Sequence, residues 1–324
     1  MLMEKSNTSV WRPSATIKTL QHRARLLGEI RDFFSDRGYL EVETPILGRY
    51  GVTEPYLSNI KAYLQGEDYY LQTSPEYHMK RLLAAGSGPI FQIARVFRDD
   101  ELGRWHNPEF TLLEWYRLES DHFQLMDEVD QFLQRCLGCQ PLVRQSYQAA
   151  FQDICNIDPF DKTMTLKSLQ DCVVSFGLGD VLPEDEVEVD PYLFLLMSHV
   201  IEPALAKIES PVVIYHFPPS QASLAKVKNG VAERFEVYYR GVELANGFHE
   251  LTDPILQSKR FSADVHTRQM RDLNFMAPDQ YLLQALEHGL PSCSGIALGV
   301  DRLLTLRLKH DTIATGLAFD FQRA

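Results

Sequence analysis

The sequence predicts an α+β fold, an antiparallel sheet flanked by helices. Helical periodicities precede, interrupt or follow runs of adjacent strands, instead of alternating with single strands as in βαβ units. Two pairs of strand-like runs read as hairpins, one closed by Arg240-Gly241 and one by a long polar loop. Neither GxGxxG nor GxxxxGK[ST] occurs, so the parallel nucleotide-binding folds lose their usual signatures.

The elements follow in order. Ile17, Leu20, Ala24, Leu27, Ile30 and Phe34 recur every three or four residues, which predicts an amphipathic helix over 16–37. Gly38 ends it, and EVETPIL with Pro45 reads as a short strand. Ser74 is placed to cap the next helix, with Pro75 at its first position and Gly86 past its end. IFQIARVF (90–97) and EFTLLEWYRL (109–118) are strands around the loop DDELGRWHNP; such long loops are usually functional. Residues 121–137 read as helical, and 141–211 as mainly helical around a solvated acidic stretch, PEDEVEVD. VVIYHF, VAERFEVYYR and GVELANGFHEL return to strand. Helices follow over 254–274 and 279–289, and then the strand SGIALGV runs into the helix DRLLTLRLK. No repeat or linker divides the chain. We read 16–324 as one domain behind a short extension, 1–15, with 141–211 as a helical insertion.

Composition narrows the function. The 324 residues are 45% hydrophobic and 23% charged, enough for a large core and unlike a disordered or disulfide-stapled chain. A formal net charge of −12 argues against a general nucleic-acid binder. Five cysteines, an odd number without framework spacing, suggest free thiols in a reducing compartment. The start MLMEKSNTSVW lacks an apolar signal core, and the longest apolar run, 192–197, is too short to span a membrane. A soluble cytoplasmic protein is expected.

Several residues have chemistry to offer. If Arg240-Gly241 is a two-residue turn, Tyr238 pairs with Glu243, and Glu236 shares their face. The two carboxylates are then diagonal neighbours with bases roughly 7 Å apart. A divalent cation with phosphate oxygens would reconcile them; two glutamates on a solvated sheet face is the equal alternative. Asn246, Phe248 and Glu250 share a face around Gly247, and Glu250 suits either a cationic ligand group or a surface salt bridge. Arg98 ends an apolar strand beside the polar loop, a position suited to bidentate capture of phosphate or carboxylate. Asp100, His106, Asn107, Glu109 and Phe110 are polar or stacking groups of that loop, while Glu114 and Tyr116 line one face of the return strand. Gly295, Ala297 and Gly299 leave one strand face nearly bare, and Arg302 sits in the first turn of the next helix. Cys136-Leu-Gly-Cys139 lacks partners for zinc and reads as two thiols at a helix end. The ten histidines show no HExxH-like pairing, so no His-built metal site is expected.

Together these segments resemble the three motifs of class II aminoacyl-tRNA synthetases. RGYLEVETPIL is similar to motif 1, FRDDELGRWHNPEFTLLEWY to motif 2 and GIALGVDRLLTL to motif 3. TSPEYHMKRLL, HNPEF and RFEVYYRGVELANGFHELTD resemble the lysine branch, and the likeness runs from about residue 16 to residue 320. It implies the class II catalytic fold and a dimer through motif 1. It implies that Arg98 holds the α-phosphate and the amino-acid carboxylate. Asp99, Asp100, His106, Asn107, Leu244 and Gly299 would contact ATP, with Phe110 and Arg302 around the adenine. Glu236 and Glu243 would bind Mg²⁺. Ser74, Pro75 and Glu76 would read the α-amino end; Glu114, Tyr116, Asn246, Phe248, Glu250 and Ala297 would form the lysine pocket. The catalytic roles would fall to Arg98 and Arg302 as positioning and charge-stabilising groups, with no enzyme nucleophile.

There are departures. Lysyl-tRNA synthetases have an anticodon-binding domain before motif 1, whereas about 15 residues precede the first helix here. Ala297 stands where the synthetases usually have Gly, Asp100 where Glu is usual and His249 where Ser is usual. With HFPPSQASLA (216–225), these features resemble the elongation factor P lysine ligases. That family activates (R)-β-lysine, or less well α-lysine, as its adenylate, and transfers it to a lysine ε-amine of elongation factor P. The resemblance implies ATP and Mg²⁺, elongation factor P as acceptor, a homodimer and no stable tRNA binding. The alternatives are a minimal tRNA-charging enzyme, a catalytically inactive regulatory paralogue and an asparagine synthetase A-type enzyme. Arg98, Glu236, Glu243 and Arg302 count against the second, Glu76 and Glu250 against the third. Arg23, Arg25, Lys80 and Arg81 either dock an acidic acceptor or lie on a scattered solvated surface.

Overall fold

A computed structural model describes residues 11–99, 102–183 and 185–324. Helix α1 (Ile17–Ser35) starts at Thr16, whose hydroxyl accepts from Thr19 N. It buries Leu26, Ile30, Phe33 and Phe34, whereas Ile17 is 65% exposed and Ala24 is open. The buried face is thus rotated from the one that the 17–34 spacing predicts, toward Phe33, which packs on Phe132.

The strand predicted over 41–47 forms only at its ends, as β1 (Leu40–Glu41) and β2 (Leu47–Gly48). Pro45 between them has no N–H to give to a ladder. The hairpin β3 (Lys61–Leu64) and β4 (Glu67–Leu71) joins β2 in a small three-stranded sheet, which sequence reading did not predict. Helix α2 (Glu76–Ala84) takes Pro75 as its N-cap residue, and the Ser74 hydroxyl accepts from Glu76 N at 3.1 Å.

The hairpin β5 (Ile90–Phe97) and β6 (Glu109–Leu118) has the predicted bounds. Helix α3 (His122–Leu137) follows behind a capping box of Asp121 and Gln124. The stretch predicted to be mainly helical holds an edge strand, β7 (Val143–Ser146), and then α4 (Tyr147–Cys155), α5 (Leu166–Ser175) and α6 (Val189–Leu196). A π turn over Met197–Ile201 links α6 to α7 (Glu202–Leu205). Then come β8 (Val212–Phe217), β9 (Val227–Lys228), β10 (Val231–Tyr239) and β11 (Val242–His249). Helices α8 (Pro254–Met270) and α9 (Gln280–Gly289), strand β12 (Cys293–Gly299) and helix α10 (Val300–Leu308) complete the order.

The main sheet runs β1-β5-β6-β12-β11-β10-β8-β7, with β9 on β10. Its six central strands are antiparallel, as predicted, and its edge pairs β1–β5 and β7–β8 are parallel. Arg240 (φ 53°) and Gly241 (φ 74°) make the tight turn, and Tyr238↔Glu243 and Tyr239↔Val242 pair as predicted. A bulge after Val237 then brings Glu236 opposite Asn246.

Alternation gives the sheet two faces. Leu113, Trp115, Phe235, Val237, Ile296 and Leu298 point into the main core with α1, α3 and α10. The residues between them, including Glu114, Tyr116, Gly295, Ala297 and Glu236, fall on the other face. A second core packs α4, α5 and α6 against β8. Among the described residues no helix is long and apolar enough to cross a membrane.

Candidate active site

Two cavities adjoin on this second face. The first, about 220 Å³, is lined by the β5–β6 loop, the start of β11 and the β12–α10 junction. It brings together Arg98, His106, Asn107, Phe110, Glu243, Leu244, Gly299 and Arg302. The second, about 160 Å³, is lined by Ser74, Glu76, Phe248 and groups from α8. Arg98, Asn246 and Ala297 line both, so one guanidinium serves the wall between them. Neither Asp99, which is exposed, nor Pro75, which is buried, lines either cavity, and Asp100 lies outside the described residues.

In the first cavity Arg302 is held from three sides. Its Nη1 donates to Glu243 O at 2.7 Å, its Nε to Trp105 O at 3.3 Å, and its Nη2 lies 3.0 Å from His106 Nε2. One arginine thus ties the loop after β5 to β11. Asn107 is held by the backbone, donating to Glu109 O at 2.6 Å and accepting from Phe321 N at 3.1 Å. The Arg98 guanidinium lies 5.2 Å from the Phe110 ring centroid. Trp105 and Ile313 also line the cavity and were missed by sequence reading. Asp301 accepts from Thr111 N and pairs with Arg23 at 2.5 Å, fixing α10 to β6 and α1.

The carboxylates predicted to bind metal are close but differ in setting. Glu236 is buried; Arg234 and the Tyr238 hydroxyl donate to its two oxygens. Burial raises its pKa, against the pull of Arg234. Glu243 is half-open at the cavity wall. Glu202 of α7 is a third carboxylate that sequence reading missed: burial, then Glu243 and Glu236, push it up to about 8. No sequence spacing joins it to the other two. Three clustered carboxylates form an oxygen donor set of the kind Mg²⁺ takes, with Arg234 as the present counter-charge on Glu236.

Behind the second cavity lies a buried ionic group. Lys80 Nζ pairs with Glu76 at 2.7 Å and with Glu250 at 2.6 Å. The side chains of Lys80 and Glu250 are 3% and 1% exposed. Burial alone would lower Lys80, but Glu250 and Glu76 hold it above its ordinary value. Glu114 accepts from Ser74 Oγ at 2.6 Å and from the Tyr116 hydroxyl at 2.7 Å. Burial, then the nearby Glu76, push Glu114 up to about 8; Glu250 is pushed up to about 7 by burial in spite of Lys80. Gly295 makes room for this packing: a Cβ there would meet Tyr116 at 2.3 Å and Glu250 at 2.5 Å.

Lys80 is therefore removed from the residues open to an acidic partner. Arg23, side chain 11% exposed, is also committed to Asp301 and Thr111. Arg25 remains exposed, and Arg81 lies over the Tyr281 ring at 5.0 Å. The signal for Lys80 was its spacing, four residues after Glu76 on one helix face. Cys136 is buried and Cys139 partly so, at the end of α3.

A loop-bounded cavity and an acid-lined pocket thus share one antiparallel sheet, in a chain that comparison assigns to a known class of enzyme. The chain belongs to the class II tRNA synthetases (D, K and N), whose family matches residues 3–323. It is 51% identical over 328 aligned positions to the "Elongation factor P--(R)-beta-lysine ligase" of Salmonella gallinarum strain 287/91, covering 98% of this chain and 100% of the relative. The proteins of the same name from Salmonella paratyphi B and Salmonella schwarzengrund are 50% identical over the same shares.

Proposed function

We propose that this enzyme activates (R)-β-lysine, or α-lysine, with ATP and transfers the aminoacyl group to a lysine ε-amine of elongation factor P. The observation that carries the reading is the 51% identity over 98% of the chain to a ligase of that name. The cavities agree with it: they share Arg98, which can hold the α-phosphate from one side and the amino-acid carboxylate from the other.

In the first step a carboxylate oxygen of the amino acid attacks the α-phosphorus, and the bond to the β-phosphate oxygen breaks. Arg98 and Arg302 position ATP and take up the charge that develops; Phe110 and Arg302 flank the adenine. Glu236, Glu243 and Glu202 would hold Mg²⁺, which when bound offsets charge on the departing pyrophosphate. In the second step the deprotonated acceptor amine attacks the acyl carbon, and AMP leaves. Of the buried group, Glu76 is the acid that would meet a cationic substrate. Glu76 lines the pocket, with Glu250 and Glu114 behind it.

The same reading makes residues 16–324 one catalytic domain in a cytoplasmic homodimer that does not hold tRNA stably. The open Ile17 and Leu40, 65% and 54% exposed, support pairing through α1 and β1. Sedimentation at twice the chain mass supports the dimer; a monomer refutes it.

The test of function is the intact mass of elongation factor P after incubation with the enzyme, ATP, Mg²⁺ and (R)-β-lysine, beside a tRNA-charging assay. A single lysyl-sized gain with uncharged tRNA is expected. Charged tRNA with unmodified protein would make this a minimal synthetase, and activity on neither, without pyrophosphate exchange, an inactive paralogue.

A further inference from the structure

Behind the strand that bears Asn246 and Phe248, on the opposite face of the sheet, four titratable side chains converge from four elements. His122 opens α3, His216 lies in β8, Glu233 in β10 and His249 ends β11. One donor atom each of His122, Glu233 and His249 lies within 4.8 Å of the others. His249 Nδ1 is 2.5 Å from Glu233 Oε2, and His122 Nε2 is 3.0 Å from His216 Nε2. His122 is 2% exposed, and its Nδ1 is buried with no hydrogen-bond partner. Such an orphan nitrogen costs free energy unless something coordinates it. His216 holds a left-handed backbone (φ 63°) inside a strand, a strained conformation that tends to accompany functional positions.

We propose that His122, Glu233 and His249 form a zinc site, with His216 beside it. Two imidazoles and one carboxylate are the donor types that Zn²⁺ takes, at about 2.0–2.2 Å each. Four-coordinate ligands at that radius stand about 3.4 Å apart, so the His249–Glu233 pair, now at 2.5 Å, would part by about an ångström to admit an ion, with His122 within 4.8 Å of both. The ion would tie the first turn of α3 to β10 and β11, fixing from behind the strand that carries pocket residues. This site is separate from the Glu236–Glu243 carboxylates in composition and in chemistry.

The test is direct Zn²⁺ titration of the full chain without ATP or lysine, in a Glu243→Gln background that weakens the carboxylate site. Co²⁺ serves as the spectroscopic probe. One equivalent of Zn²⁺, a tetrahedral Co²⁺ spectrum and a Zn²⁺-dependent rise in Tm are expected. Affinity should fall at least about 100-fold in His249→Ala and in the gentler Glu233→Gln, and stay unchanged in His288→Ala at an exposed histidine. Circular dichroism checks that each variant is folded. Absence of saturable Zn²⁺ binding by the parent, or binding that survives both substitutions in folded protein, overturns the proposal.

Discussion

Arg98 stands where the two cavities meet, so on the proposed reading its removal would act on the reaction more than on the fold. Arg98→Ala is expected to lower lysine-dependent ATP–pyrophosphate exchange by about 100-fold or more with an unchanged melting curve. Unchanged exchange would refute its role. Ala297 also lines both cavities and pairs with Asn246 and Glu114 across its two neighbouring strands. On the proposed reading, one methyl group there would set how close a substrate can lie to the sheet. Ala297→Gly should change the ratio of kcat/KM between (R)-β-lysine and α-lysine by roughly tenfold or more. Of the predicted site residues, those on alternating strands were readable because period two fixes which share a face. Lys80 was read as a surface cation because its second partner, Glu250, lies 170 positions away. Glu202 and the His122–Glu233–His249 group left no sequence signal for the same reason: chain separation hides what the sheet brings together.

Among the elements, the β10–β11 hairpin shows most directly how local rules place a site. Two residues with positive φ close the turn, and the turn sets the register that puts Glu243 across from Tyr238. Gly241 is held on two counts: its φ is 74°, and a Cβ would meet Ala206 Cβ at 2.9 Å. Gly241→Ala is expected to cost about 1–2 kcal/mol, read by urea titration. Loss of pyrophosphate exchange is expected to follow the unfolded fraction. The β5–β6 hairpin was equally legible, from apolar runs bounded by a polar loop. The small sheet β2-β4-β3 was not. Its strands are two to five residues long and mostly exposed or half-buried, so they have no alternation to read. Helix α1 shows the converse limit. Its period was readable, but the angle of its buried face was set by Phe33 packing on Phe132 at 5.2 Å, a tertiary contact.

For the whole molecule, the buried acids give stability a pH dependence. Glu114 is pushed up to about 8 from an ordinary 4.5, so the folded chain keeps a proton that the unfolded chain has lost between those values. The native state then binds more protons, and stability falls as pH rises through that window. Glu202, also raised to about 8, acts with the same sign. His122, lowered to about 4, acts oppositely below its ordinary 6.5, so the clean interval is pH 6.5 to 8. Tm is expected to drop from pH 6.5 to pH 8.5, and Glu114→Gln to flatten the drop. A Tm that rises over this interval would contradict the assignment.

The shared wall at Arg98 has a consequence for ligand affinity. On the proposed reading each cavity would accept half of an acyl-adenylate, and only the joined molecule would reach into both at once. Binding of one half therefore raises the local concentration of the other, as in any bivalent ligand whose tether fits the span. A stable sulfamoyl analogue of lysyl-adenylate is expected to bind about 100- to 10,000-fold more tightly than lysine or AMP alone, measured by calorimetry. An enzyme so built would keep its reactive intermediate through the geometry of one arginine, and would release ATP or lysine freely until the two are linked.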